Sequence, residues 1–295
     1  MDTVTDIPKL TPRPADAHKS LFGRILIVGG SVGMGGACAL AGRAALRAGA
    51  GLVRLAVPKA VLPVVAGFEP CYITVPLTQD DAGGIASSAA AALCEQAAQS
   101  DVVAFGPGAG TGRGAREVLL ALIAEPDLRL VIDADGLNSL AKTPLWPARR
   151  KADVILTPHP GEMKRLWKGL FREPMPEDRT AAAAAMAKET GCTVVLKGAG
   201  TVVTDASRVY INTTGNPGMA TAGTGDVLTG IIAALAGQHL SNFDAAVSGV
   251  YIHGLAGDLA ADRTGQISLI ATDIIDALPQ AFQNTLAAQY KEGNP

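Results

Sequence analysis

The segment Asn216–Gly230, NPGMATAGTGDVLTG, decides how this chain is read. Small residues and glycines lead into an apolar stretch, so a helix is expected to begin near Thr224. The first turn of a helix leaves backbone N–H groups unpaired and carries partial positive charge, and glycines let an oxyanion approach the main chain. Ala222, Gly223, Thr224 and Gly225 are therefore a candidate anion hole. Asp226 falls in the first helical turn, beside the anion. A carboxylate placed there can take the proton from a hydroxyl attacking phosphorus while the amides stabilise charge on the transferring group. It can equally be a plain helix-start carboxylate that favours the dipole.

Working outward, short apolar runs alternate with Ala-rich helical stretches. Strands are expected at Arg24–Gly29, Leu52–Val57, Ile73–Leu77, Asp101–Phe105, Leu130–Asp133 and Val154–Thr157. Helices are expected at Gly35–Ala48, Ile85–Gln99, Arg113–Ala124 and Gly136–Ala141. Apolar runs without alternation, separated by helices, predict an α/β fold with a mostly parallel sheet covered on both faces. Thr193–Lys197, Thr201–Thr204 and Arg208–Asn212 follow too closely for intervening helices and predict a late antiparallel hairpin extension. Helices at Gly225–Ala236, Phe243–Ala261 and Ala271–Leu278 complete the pattern, the last stopped by Pro279. Glu173–Glu177 is the best loop signal. No long linker divides the chain, and one domain is the better count.

The chain has 295 residues, of which 48% are apolar and only 4% aromatic, so a core of small and branched side chains is expected. A formal charge of −2 predicts no strong attraction to nucleic acid or to anionic lipid. Cys38, Cys71, Cys94 and Cys192 show no metal or redox spacing and read as buried thiols in a reducing compartment. The first twenty residues form a polar, Pro-bearing tail, neither a secretory signal nor a membrane span, and a cytoplasmic protein is expected.

Further glycines and acids gather at expected strand ends. Gly29–Gly36 (GGSVGMGG) follows a strand and opens a helix, as a dinucleotide loop or a tight turn would, and lacks the ending of a Walker phosphate loop. Gly106–Gly110 (GPGAG) reads as a strand-to-helix turn. Val131–Asn138 (VIDADGLN) ends a strand with Asp133 and Asp135, at the edge where ligands of open α/β sheets bind. These acids could form turns, shape the substrate site or help position Mg²⁺ through water. Thr157–Glu162 (TPHPGE) puts His159 between two prolines, while Glu162 either starts the next helix or reaches a cation through water. Lys197–Thr201 (KGAGT) offers a lysine to a phosphate and glycines to a nucleotide, or is an exposed lysine beside a turn.

Asn216–Gly230 resembles the C-terminal signature of the ADP-dependent NAD(P)H-hydrate dehydratase family, and the other quoted segments extend that resemblance over nearly the whole chain. The family lies within the ribokinase-like superfamily, whose sugar kinases carry a related GAGD. The resemblance implies a ribokinase-like three-layer α/β/α sandwich over residues 21–290, behind the 1–20 tail. No epimerase domain is expected to be fused to it, so NAD(P)H-hydrate epimerase would be a separately encoded functional partner. It further implies conversion of the (6S)-hydrate of NADH or NADPH, with ADP and Mg²⁺, into NAD(P)H, AMP and phosphate. Asp226 would be catalytic; Ala37, Gly108, His159 and Asp226 would bind the hydrate; and Lys197, Gly198, Ala199, Gly200, Thr201 and Gly225 would bind ADP or AMP. No direct metal ligand is assigned, with Asp133 and Glu162 reaching the cation through water. A homotetramer is expected. Two rival readings are an ATP-dependent small-molecule kinase for a hydroxymethyl pyrimidine or thiazole alcohol, and a non-catalytic nucleotide sensor.

Overall fold

Ile25–Val28 and Val102–Phe105 have no exposed side chain, and they form neighbouring parallel strands at the heart of a ten-stranded sheet. The computed structural model describes residues 1–292. Its strands are β1 (Asp2–Val4), β2 (Arg24–Val28), β3 (Leu52–Pro58), β4 (Ile73–Leu77), β5 (Val102–Phe105), β6 (Arg129–Ile132), β7 (Asp153–Leu156), β8 (Thr193–Leu196), β9 (Val202–Thr204) and β10 (Arg208–Ile211). Their order is β1-β10-β9-β8-β7-β6-β5-β2-β3-β4. Pairing is parallel from β4 through β8, and β9 runs antiparallel to both β8 and β10.

Among the described residues eleven α-helices accompany the sheet: α1 (Gly35–Arg47), α2 (Leu62–Ala66), α3 (Ala90–Ala98), α4 (Arg113–Ile123), α5 (Ala134–Ala141), α6 (Trp146–Arg149), α7 (Pro160–Leu170), α8 (Arg179–Thr190), α9 (Thr224–Gly237), α10 (Asn242–Thr264) and α11 (Ala271–Glu292). Successive residues of a strand face opposite sides of the sheet. Accordingly Ile25 and Ile27 join one core with α1, α9, α10 and α11, while Leu26 and Val28 join a second with α3, α4, α5, α7 and α8. Two cores separated by one sheet make three layers, as expected. From Val227 to Gly237 every residue of α9 is buried, so this helix lies inside the first core with only its first turn partly exposed. No helix among the described residues is long and apolar enough to cross a membrane.

Several local expectations need correction. Pro279 does not stop the last helix, since α11 runs through it to Glu292. A proline inside a helix costs about 3 kcal/mol. Ile274, Ile275, Leu278 and Ala281 are fully buried on both sides of it, and that packing outweighs the loss. Within the polar tail, Asp2–Val4 pair in parallel with β10. The helix expected from Ile85 begins only at Ala90, after a 3₁₀ turn at Ser87–Ala89, because Ile85 is held in an antiparallel bridge to Gln79. Cys38 and Cys192 are buried as expected, whereas Cys71 is exposed on the loop between α2 and β4 and Cys94 is half-buried.

Candidate active site

The N-terminus of α9 is built by Gly223, whose φ of +89° is the left-handed region that costs side-chain-bearing residues energy. No side chain caps this helix, so the amides of Thr224, Gly225 and Asp226 keep their donors open. The first intrahelical bond runs from Val227 N to Gly223 O. Thr224 is buried, and its Oγ1 has no hydrogen-bond partner among the described residues. Behind this turn, burial pushes His253 of α10 down to about 4, which keeps its imidazole neutral beside the Thr224 main chain. An uncapped, amide-rich helix start with an unpaired hydroxyl is a surface made for an anion.

Around it lies a largely buried charge cluster drawn from two strand ends and the first turns of α7 and α9. Lys197, at the end of β8, donates to Asp133 Oδ1 at 2.6 Å. Asp133, at the end of β6, accepts at Oδ2 from Thr229 Oγ1, one turn along α9 from Asp226, at 2.7 Å. A Cβ placed on Gly225 would lie 3.1 Å from Lys197 Nζ, so the ammonium closes the side of the anion hole. Lys197 is therefore not the solvated lysine of a turn, and its side chain is only 17% exposed. Burial works against its charge, but Asp133 and Glu162 outweigh burial and hold the ammonium on. Burial first, and then the charge of Asp133, raises Asp226 to about 7. Burial likewise raises Glu162 to about 7. A carboxyl poised near neutrality suits proton transfer at physiological pH. Ala134, directly after Asp133, has φ +48°, a backbone strain at the point where the acid is presented.

The glycine loops meet at the same edge. A Cβ on Gly108, at φ +64°, would collide with Met34 O and lie 3.3 Å from Ala37 Cβ, so the two expected hydrate contacts lie side by side. Ser31 Oγ ties the loops by donating to Gly108 O at 2.9 Å. Asp135 accepts from Gly110 N at 2.9 Å, which makes it the clamp of the GPGAG turn. His159 caps α7: its Nδ1 accepts from Gly161 N at 2.9 Å, and Glu162 Oε2 accepts from His159 N at 2.8 Å. That reciprocal box gives both residues a structural duty. The other ring nitrogen, Nε2, lies 3.4 Å from Glu162 Oε1, and about half of the imidazole is exposed. Gly198, Ala199 and Gly200 are exposed, and Thr201 Oγ1 donates to Gly198 O at 2.9 Å to shape their turn.

Among the described residues no group of three or more His, Cys, Asp or Glu side chains could enclose a metal ion. Both oxygens of Asp133 and one of Glu162 already accept hydrogen bonds. Such a donor set fits a hard cation held mainly by phosphate oxygens and water, with these acids beyond the water.

Some positions that shape the site carry no signal when read singly. Thr229 stands within the quoted signature, and its spacing of four from Gly225 puts it on the same helix face. Arg179 holds the KGAGT loop by donating to Leu196 O at 3.0 Å, Lys197 O at 3.2 Å and Ala199 O, yet it lies far off in sequence. His253 is likewise separated from every glycine motif.

The chain matches the NAD(P)H-hydrate dehydratase family over residues 25–280. It is 46% identical to a bifunctional NAD(P)H-hydrate repair enzyme of Moorella thermoacetica, a match covering 94% of this chain and 52% of the relative. Thus the chain spans about half the length of the first curated relatives it matches. An ADP-dependent (S)-NAD(P)H-hydrate dehydratase of Neisseria meningitidis is 39% identical, over 90% of this chain and 86% of that one. Among solved structures, an ADP/ATP-dependent NAD(P)H-hydrate dehydratase from Bacillus subtilis, co-crystallised with ATP and Mg²⁺, superposes with TM-score 0.78 at 29% identity, covering 94% of both chains. A ribokinase from Thermotoga maritima, at 16% identity and TM-score 0.56 over 88% of this chain and 100% of that one, shares the ribokinase-like fold.

Proposed function

This chain belongs to the NAD(P)H-hydrate dehydratase family, and from that premise we propose that it restores NADH or NADPH from the (6S)-hydrate at the expense of ADP. The observation that carries the reading is Asp226, a half-buried carboxyl raised to about 7 in the first turn of an uncapped helix whose amides face the same space.

The chemistry follows from that placement. Hydroxide leaves a ring poorly, and phosphate leaves well. Asp226 takes the proton of the ring hydroxyl, whose oxygen attacks the β-phosphorus of ADP; the bond from that phosphorus to the AMP oxygen breaks. The amides of the Ala222–Gly225 turn, with Lys197 beside them, stabilise the charge on the transferring group. The lone pair of the ring nitrogen then expels phosphate, and loss of a ring proton restores the double bond. Water lost from the hydrate thus appears in AMP and phosphate. Mg²⁺ would be held through water by Asp133 and Glu162 and would neutralise phosphate charge. Ala37, Gly108 and the outer face of His159 are assigned to the hydrate, and Lys197–Thr201 with Gly225 to the adenine nucleotide. We assign the activity to one domain, residues 21–290, acting in the cytoplasm as a homotetramer.

The test is NADH recovery from purified NADH hydrate with Mg²⁺, comparing ADP, ATP and no nucleotide. Recovery that requires ADP and releases AMP and phosphate supports the assignment. Folded protein that recovers no NADH with either nucleotide refutes it, and phosphate transfer from ATP to a stable alcohol would identify a kinase.

A further inference from the structure

Past the GPGAG turn the sheet edge opens into a groove of about 560 Å³, lined among others by Thr111, Asn138, Lys142, Arg165 and Lys168. Its lining contains three cations and no carboxylate, a local excess in a chain of net charge −2. None of the three cations is in an ion pair among the described residues. Unpaired cations crowded in one groove repel one another, so an anion entering there gains what protein carboxylates do not supply.

The groove is joined to the active site by a continuous set of contacts. Asp135 accepts from Gly110 N at 2.9 Å and from Asn138 Nδ2 at 3.4 Å, and Asn138 Oδ1 accepts from Arg165 Nε at 2.8 Å. The guanidinium is thereby oriented with its two terminal nitrogens free for a ligand. Lys142 Nζ donates to Thr111 Oγ1 at 3.2 Å, next to Gly110 in the chain. A Cβ on Gly161 would lie 2.7 Å from His159 Cε1 and 3.6 Å from Arg165 Nη1, so Arg165 stands beside the residue assigned to the hydrate.

The anion hole and the KGAGT loop are assigned to ADP, which leaves the dinucleotide's own phosphates without cations. A free ribose 2′-hydroxyl is commonly read by a carboxylate and a phosphorylated ribose by a cation, and the charged residues of this lining are all cations. We propose that the groove binds the adenosine half of the hydrated dinucleotide through its phosphate oxygens, with Arg165, Lys142 and Lys168 as their partners. The inference rests on the dehydratase reading and extends it to the far end of the substrate.

Lys142, Arg165 and Lys168 are all exposed, so Lys142→Glu, Arg165→Gln and Lys168→Glu should fold, as circular dichroism and melting would verify. The expected result is a KM for the hydrate raised about tenfold per cation lost, with the KM for ADP unchanged. The effect should shrink at high salt. Equal losses for NADH and NADPH hydrate identify the pyrophosphate as the bound group, and a loss confined to NADPH hydrate identifies the 2′-phosphate. Titration with NADPH itself, needing no turnover, should show the same weakening, while reduced nicotinamide mononucleotide should bind all four proteins alike. Wild-type affinity for NADPH in all three variants overturns the groove. Absent hydrate turnover by the wild type overturns the dehydratase reading instead, and the NADPH titration then judges the groove by itself.

Discussion

At the C-terminal end of α9, Arg129 from the first position of β6 donates to Ala236 O at 2.5 Å and Leu240 O at 2.6 Å. Its Nε and Nη2 also reach Asn242 Oδ1 at 3.3 and 2.8 Å. Every nitrogen of that guanidinium has a partner, and the cation sits where the helix dipole favours it. At the N-terminal end, at the opposite edge of the sheet, the amides are uncapped, Thr224 Oγ1 is unpaired, and Asp226 and Glu162 resist ionisation. One helix therefore has a saturated end and an unsaturated one. Saturation contributes stability; an end left open holds its binding capacity for something that arrives later.

The largest expected effect that would break this contrast is at Asp226. Asp226→Asn should lower kcat by about a thousandfold, while raising thermal stability at pH 8. The sign follows from the raised value: a carboxyl that holds its proton up to about 7 contributes stability at low pH that is lost as pH rises through that value. The asparagine has no such loss, so the gap in melting temperature should widen from pH 5 to pH 8. A variant no more stable than the wild type at pH 8 would show that the open end is not strained by charge.

Arg129→Met tests the saturated end. It should destabilise the fold by about 2–4 kcal/mol in denaturant titrations, because buried carbonyls lose a charged donor. The protein that remains folded should keep its kcat, and a kcat loss like that of Asp226→Asn would erase the distinction between the ends. Thr229→Val removes the bond that joins α9 to Asp133 and should cost about tenfold in kcat/KM. It should also displace the pH–rate profile, because Asp133 acts on Asp226. The smallest effect concerns the strained backbone. Ala134→Gly should raise stability by up to about 1 kcal/mol, since glycine adopts positive φ freely; a net loss of stability would mean that the φ of +48° at Ala134 is not strain.

What the sequence made legible was local. Glycine spacing and the shift from apolar run to helix identified the start of α9 and nearly every parallel strand, because burial on both faces leaves an uninterrupted apolar signature. What it did not reveal depended on distant partners. The pairing of Lys197 with Asp133 joins two strand ends 64 positions apart. The capping duty of His159 looked like a ligand signal because the same imidazole nitrogen can serve either. Pro279 reads as a helix stop by its own chemistry, and only the burial of Ile275, Leu278 and Ala281 overrules it. Arg179 works through backbone carbonyls, and Arg129 does so apart from Asn242; carbonyls carry no residue identity, so no motif could have announced them.

Strand β1 has a consequence in time. Asp2–Val4 can pair only with Arg208–Tyr210, about 200 positions later. Pro8 and Leu10 are fastened to Gln289, later still. During synthesis at about 5–20 residues per second, β1 waits roughly 10–40 s for its partner to be translated. Its docking is thus a late, long-range loop closure, after the parallel centre of the sheet can already have assembled.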